Sequence, residues 1–248
     1  MIGRRRFMAT GSAGLLVAGC DRLNNSQSFR GALRSAEKLT MDTQRLISSR
    51  DALAREYSEA ELSPIFRSNG TRMPGGEEYA RHLAEGFNNW RLAVDGLVAR
   101  PLSIPIQTLR RLPHRTQITR HDCVEGWSAI GKWHGVQLSR ILDAAGLSTR
   151  AKYIVFHCAD RFGDKPYYES IDLVDAFHPQ TILAWGMNGH LLPVPNGAPL
   201  RLRVERQLGY KHAKFIQRIQ AVESLATVFG GKGGYWEDNV DYEWYAGI

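Results

Sequence analysis

The chain has 248 residues, of which 43% are hydrophobic, 23% charged and 10% aromatic, and its formal charge is +7. These are globular values; they exclude a disordered, collagen-like or coiled-coil chain and leave room for one large domain or two small ones. Three cysteines are too few for a disulfide framework or a four-thiolate zinc or iron–sulfur site, and no C-x-x-C-H is present to carry a c-type haem.

The first residues read as an address. Arg4-Arg5-Arg6-Phe7-Met8 precedes an apolar run that ends at Gly19-Cys20, far short of the roughly 20 residues a membrane-spanning helix needs. A charged start, a short apolar run and a small-residue end make an export signal, and paired arginines before Phe7-Met8 resemble the twin-arginine signal for folded cargo. Val17-Ala18-Gly19-Cys20 resembles a lipobox and Asp21 an inner-membrane retention signal. Residues 1–19 are therefore expected to be a twin-arginine lipoprotein signal peptide. Cys20 is the expected lipidation site, with residues 20–30 as a tether and the protein held at the periplasmic side of the inner membrane. An uncleaved amphipathic N-terminal helix is the alternative. Removing residues 1–19 takes away three arginines and no acid, which leaves +4. A charge of that size needs no polyanionic partner, and export places the chain away from nucleic acid.

Along the mature chain, residues 31–62 are rich in Ala, Leu, Arg and Glu without proline, and predict one helix or two, stopped by Ser63-Pro64. Residues 65–80 carry Asn69-Gly70 and Pro74-Gly75-Gly76 and predict a loop. Alternation from Trp90 predicts a half-buried strand that turns at Gly96. A short helix is expected over 103–112 and strand from Thr116 toward His121-Asp122-Cys123. Residues 136–146 predict an amphipathic helix capped by Gly146. Strands are expected at 153–157 and 182–185, with a turn of helix at 170–177 between them and a hairpin turn at 186–189. Leu200, Leu202 and Val204 alternate with arginines as a further strand, and Phe215, Ile216, Ile219 and Val222 close the β pattern. The expected architecture is α+β, a single mixed, β-rich domain over 63–248 with an N-terminal helical segment.

Three places can carry chemistry. Cys123 lies beside His121 and Cys158 beside His157. A disulfide, a two-Cys, two-His zinc or copper site and a nucleophilic Cys–His pair all remain open, and a lone thiolate also suits a soft metal. Asn196-Gly197-Ala198-Pro199-Leu200-Arg201, followed by His212-Ala213-Lys214, combines a glycine-bearing loop with cations, which suits phosphate or another anion; a solvent-facing basic strand is the plain reading. The C-terminal segment, with Tyr235, Trp236, Tyr242, Trp244 and Tyr245 after a glycine run, reads equally as a lid or as a tail pinned by its aromatics.

From about residue 64 the chain resembles the molybdopterin-binding domain of the sulfite oxidase family. Within it, the chain is similar to the bacterial periplasmic group that includes the catalytic subunit of protein-methionine-sulfoxide reductase. The matching stretches are Asp122-Cys123-Val124-Glu125-Gly126-Trp127, Trp133-His134-Gly135-Val136, Tyr167-Tyr168-Glu169-Ser170, His178-Pro179-Gln180-Thr181, Met187-Asn188-Gly189-His190 and Asn196 to Leu202. The resemblance implies a fold of that type and a molybdenum–molybdopterin cofactor, with tungsten as the alternative metal and no haem in this chain. It makes Cys123 the metal ligand and gives Asn69, Arg72, Met73, Cys158, Asn196, Arg201, His212, Ala213 and Lys214 to the cofactor. It gives Asp241 and Tyr242 to the catalytic side. Two arginines of sulfite oxidases are replaced by Ser68 and Ser128, which weakens the fit to the sulfite dianion. The implied activity is two-electron oxygen-atom transfer on a small or protein-bound sulfoxide or related S- or N-oxide. Electrons would come from a separate partner by a membrane haem protein, cytochrome or quinol route, and membrane contact would be by lipid anchor alone. The alternative is a lipid-anchored protein that captures an anion or pterin without turnover.

Overall fold

A computed structural model describes residues 26–248. The expected signal peptide and Cys20 lie outside these residues, as does most of the tether. The described chain divides into an N-terminal unit ending at Ser48 and a body formed by 49–248.

The N-terminal unit is one helix, α1 (Gln27–Ile47), capped by Ser26, whose Oγ accepts from the Phe29 backbone N–H at 3.4 Å. It starts inside the stretch expected to be tether and ends fifteen residues before the expected stop at 62. The residues that follow have a better use for their backbone. The Tyr57 N–H donates to the Ile118 carbonyl at 2.9 Å, and Gln180 and His178 bond the backbone at Ala54 and Ala52. Tertiary hydrogen bonds thus override a helical composition, leaving only a 3-10 turn at Glu59–Glu61.

The body contains α2 (Glu77–Ala84), β1 (Arg91–Gly96), β2 (Leu102–Pro105), α3 (Ile106–Arg111), β3 (His114–Cys123), β4 (Trp127–Gln137), α4 (Leu138–Ala145), β5 (Tyr153–Phe162), β6 (Lys165–Asp172), α5 (Leu173–Ala176), β7 (Ile182–Met187), β8 (His190–Leu191), β9 (Arg201–Arg203), β10 (Ile216–Val222) and α6 (Tyr235–Val240). It is strand-rich with short helices, as expected. One sheet runs β2-β1-β10-β5-β6; the other runs β3-β4-β7-β8, with β9 also paired to β7. Only β1 and β10 pair in parallel. Both sheets feed one core, with Leu92, Phe156 and Ile219 from the first and Val136, Leu183 and Leu202 from the second.

Several expectations hold to within a residue or two. The strand from Trp90 and its turn at Gly96 are β1. The helix capped by Gly146 is α4, and Gly146 supplies the left-handed φ of 69° that the cap requires. Asn188-Gly189 forms the two-residue turn between β7 and β8. Others shift. Residues 102–105 are strand, paired with β1, and the helix expected from Ser103 begins only after Pro105. The loop expected over 65–80 gives way to α2 at Glu77. Strands β4 and β6 carry no clear hydrophobic alternation in the sequence; each is completed by its neighbours, β4 between β3 and β7 and β6 along β5.

Candidate active site

Cys123 is the last residue of β3, just before the turn at 124–126, where the Gly126 N–H bonds the Cys123 carbonyl at 3.0 Å. On this strand Gln117, Thr119, His121 and Cys123 face inward, and the thiol is 8% exposed. Burial raises the pKa of the thiol, whereas the backbone N–H groups of Glu125 and Val124 favour its ionised form. A thiolate there requires a cation beside it.

The thiol opens onto a pocket of about 630 Å³, counting its open mouth. Five parts of the fold meet there besides the Cys123 turn, one of them Tyr167 of β6. The others are the loop at 69–71, Asp160 and Phe162 at the end of β5, the 209–214 segment with His212 and Lys214, and the C-terminal Trp236 and Tyr242. Tyr242 packs on Tyr210 and on Trp236, with ring centres 5.1 and 5.9 Å apart. Trp244 donates from Nε1 to the Ser170 Oγ at 2.9 Å. The C-terminal segment is therefore held to the body by its aromatics, the second of the two readings above.

Beneath the pocket lies a buried cationic cluster. Arg203 and Glu205, both fully buried, form a two-pronged ion pair: Nε to Oε1 at 2.9 Å and Nη2 to Oε2 at 2.5 Å. Gln117 donates to the same Oε1 at 2.7 Å. Arg203 Nη1 lies 2.9 Å from His121 Nδ1. Guanidinium can only donate, so this imidazole carries its proton on Nε2. His212 Nε2 lies 3.0 Å from the Gln207 carbonyl, which can only accept, so its Nδ1 is bare. Burial first, and then Arg203, hold both histidines well below their ordinary pKa, and both are neutral. Gly209 makes this packing possible, since a Cβ there would sit 2.6 Å from His121 Nε2.

Arg201 has no such counter-ion. Its guanidinium is buried over Trp133, 4.9 Å from the ring centre, and Nη1 bonds the Asn196 carbonyl at 2.9 Å. Burial, with Arg203 adding to it, pushes its pKa down to about 9. Its Nε and Nη2, the Asn196 Nδ2, the Trp133 Nε1 and the His121 Nε2 are buried without a hydrogen-bond partner. All five are donors. A set of unmet donors around a buried cation is the complement of a phosphate or other oxyanion. Gly197 allows the approach, because a Cβ there would lie 2.9 Å from the Lys214 Cβ and 3.2 Å from the Arg201 Cβ.

The family model described as "Oxidoreductase molybdopterin binding domain" matches residues 81–229. The chain belongs to this family. This molybdopterin oxidoreductase is 37% identical over 243 residues to a chain of Azospira oryzae provisionally named protein-methionine-sulfoxide reductase subunit YedZ1, covering 98% of this chain and 86% of that one. It is 30% identical over 231 residues to the protein-methionine-sulfoxide reductase catalytic subunit MsrP of Campylobacter jejuni, covering 88% and 72%. The fold is shared with the sulfane dehydrogenase SoxCD of Paracoccus pantotrophus, with a TM-score of 0.53 at 22% identity; the match covers 62% of this chain and 42% of that one. The molybdopterin oxidoreductase is an enzyme of the sulfite oxidase family and uses a molybdenum cofactor. The donor cluster fits that group, which brings a phosphate for the cationic end, and the Cys123 sulfur can take its metal.

The expected site residues do not all converge. Cys123, Asn69, His212, Lys214 and Tyr242 line one pocket. Asn196 and Arg201 lie buried beside Lys214. Ala213 is buried and offers its carbonyl to the Leu202 N–H at 2.8 Å. Cys158 is buried on β5 and shares its inward face with Asp160 two residues on. Arg72 and Met73 are exposed and do not line the pocket; Met73 is 55% exposed. Asp241 is exposed and its carboxylate pairs with Lys232. Lys214 donates from Nζ to the carbonyls of Asn69 at 2.6 Å, Pro195 at 3.0 Å and Thr71. Burial, then Arg201, push its pKa down to about 7, against the opposing charges of Asp160 and Glu125.

The two thiols are free, which removes the disulfide. Alternation on β5 sends His157 away from Cys158, toward Gln220 and Arg218, and no three potential ligands gather into a metal site among the described residues. The sequence reading missed Thr71, Asp160, Tyr167 and Tyr210 on the pocket wall. Burial raises the Asp160 pKa to about 6. Its position two residues after Cys158 in a strand was the available signal. Arg203 and Glu205 were missed too, because an alternating basic strand reads as solvent-facing.

Proposed function

We propose that this molybdopterin oxidoreductase reduces a neutral sulfoxide or related S- or N-oxide. The bond from sulfur or nitrogen to oxygen breaks, two electrons and two protons are taken up, and the products are the sulfide or amine and one water. The electrons come from a separate membrane-associated carrier. The observation that carries this reading is the pair of serines that stands where a cationic clamp would be. Ser68 and Ser128 occupy the two positions where the resemblance expects arginines. Ser68 Oγ bonds the Pro195 carbonyl and Ser128 Oγ donates to Asp122 at 2.5 Å. Neither serine lines the pocket, whose wall away from His212 and Lys214 offers Val124, Phe162, Tyr167, Tyr210, Trp236 and Tyr242, with the carboxyl groups of Glu125 and Asp160. Aromatic rings and acids favour a neutral, polarizable sulfur compound over a dianion.

The bound cofactor supplies the two-electron redox chemistry and oxygen-atom exchange. Cys123 would hold the metal, and the unmet donors of Arg201, Asn196, Trp133 and His121 would hold the phosphate, with His212, Lys214, Asn69 and Cys158 alongside the pterin. Tyr242 Oη donates a hydrogen bond to the substrate oxygen and orients it. The aromatic wall limits water around that oxygen. Both relatives are named as subunits, which supports a second protein as electron source. The twin-arginine pattern and Cys20 support a periplasmic, lipid-anchored location.

Protein purified after native export is expected to hold about one molybdenum or tungsten per chain and to reduce sulfoxides with a reduced dye. Metal analysis that finds neither, or sulfite oxidation without sulfoxide reduction, refutes the proposal.

A further inference from the structure

Helix α1 sorts its residues by charge. At about 100° per residue, the positions of Phe29, Ala36, Leu39, Thr40, Thr43, Leu46 and Ile47 fall within an arc of about 120°. Arg30, Arg34, Glu37, Lys38, Asp42 and Arg45 all fall on the other side of the wheel. The apolar arc is bare: Leu39 is 68%, Leu46 86% and Ile47 77% exposed, and Phe29 37%. No helix among the described residues is long and apolar enough to cross a membrane.

We infer that α1 lies flat on an anionic lipid surface, with this arc in the acyl boundary. Three observations select lipid. The uncharged arc is broader than a coiled-coil seam, so a partner helix would leave much of it wet. Counted from the sequence, the polar side carries four basic residues against two acidic ones, an excess of +2 that suits anionic headgroups, although the Arg45 Nε and Nη2 are themselves buried. The helix begins seven residues after Cys20, the proposed lipidation site, so an acylated N-terminus would deliver it to the bilayer. The Lys38–Asp42 ion pair, 2.6 Å, is exposed on the polar side. An acyl chain alone leaves a protein free to swing. A helix beside it adds a second point of attachment.

The test does not use turnover, so it stands apart from the S-oxide reading. The full chain carrying Cys20→Ser, which has no acyl group, is co-sedimented with vesicles of phosphatidylglycerol and phosphatidylcholine and with phosphatidylcholine alone. Binding to the anionic vesicles is expected to be at least tenfold tighter. Leu39→Glu/Leu46→Glu is expected to lower it tenfold or more, with metal content and the melting of the body unchanged. Leu39→Ala/Leu46→Ala, which preserves helix propensity, is expected to lower it several-fold. Binding indifferent to both double variants overturns the inference. So does a dimer that Leu39→Glu/Leu46→Glu splits while vesicle binding persists, which would assign the arc to a second copy. Amides of 36–47 equally protected from exchange with and without vesicles would assign it to the chain's own body and overturn the inference as well.

Discussion

Glu205→Gln is the sharpest test of the buried cluster. The substitution keeps the volume of the side chain and removes its charge. Arg203 then presents its fork to one carbonyl oxygen and one N–H, so one of two charge-assisted bonds, at 2.9 and 2.5 Å, is lost outright. The guanidinium stays fully buried beside Arg201, which has no carboxylate partner of its own, so two cations share the space over Trp133. Leaving one member of a buried pair uncompensated costs about 3–5 kcal/mol. Counting the bonds gives a consistent figure, because hydrogen bonds to charged groups contribute about 1.5–3 kcal/mol each. For a body of this size that corresponds to a fall in Tm of roughly 10 °C. The assay is urea unfolding of cofactor-free protein, with Cm and m both fitted. Arg203→Leu/Glu205→Leu removes both charges and is expected to recover most of the loss, to within about 1–2 kcal/mol of the parent. A Glu205→Gln loss below about 1 kcal/mol, or a double variant as unstable as the single one, refutes the reasoning.

Three further outcomes are expected. Lys211 sits between Glu169 at 2.5 Å and Glu237 at 2.7 Å, all buried, and burial, then Glu237, raise the Glu169 pKa well above its ordinary value. The folded state therefore holds a proton that the unfolded state releases above about pH 4.5, so stability falls as pH rises toward the folded value; Glu169→Gln should remove that fall, and gain on the parent between pH 5 and 8 in denaturation midpoints. Cys123→Ser should lose its molybdenum by elemental analysis, whereas Cys158→Thr should retain it; equal losses would place both sulfurs on the metal. Gly209→Ala puts a methyl 2.6 Å from His121 Nε2 and 3.1 Å from the Asp122 carbonyl, and should cost about 1–3 kcal/mol in thermal or urea unfolding together with much of the cofactor.

Local chemistry carries much of the fold into the sequence. The left-handed cap at Gly146, the Asn188-Gly189 turn and the alternation from Trp90 each follow from what single residues permit, and each is present. The closeness of Arg201 to the Asn196-Gly197 loop was legible for the same reason. Strand β3 shows where that legibility ends. Its inward residues are Gln117, Thr119, His121 and Cys123, and its one large aliphatic residue, Ile118, faces away from them. Hydrophobic alternation gives the wrong face because the interior here is polar, built around Arg203 and Glu205 from another part of the chain.

The sequence by itself determined the family, the thiol that can hold a metal and the charge that suits a phosphate, because these depend on residue type and near spacing. Tertiary structure alone decided that the arginines of β9 are buried and that His121 and His212 are neutral in fixed tautomers. Those properties belong to pairs of residues far apart in the chain, such as Gln117 and Glu205, 88 positions apart and in contact at 2.7 Å, and burial and protonation are set only once such pairs have met.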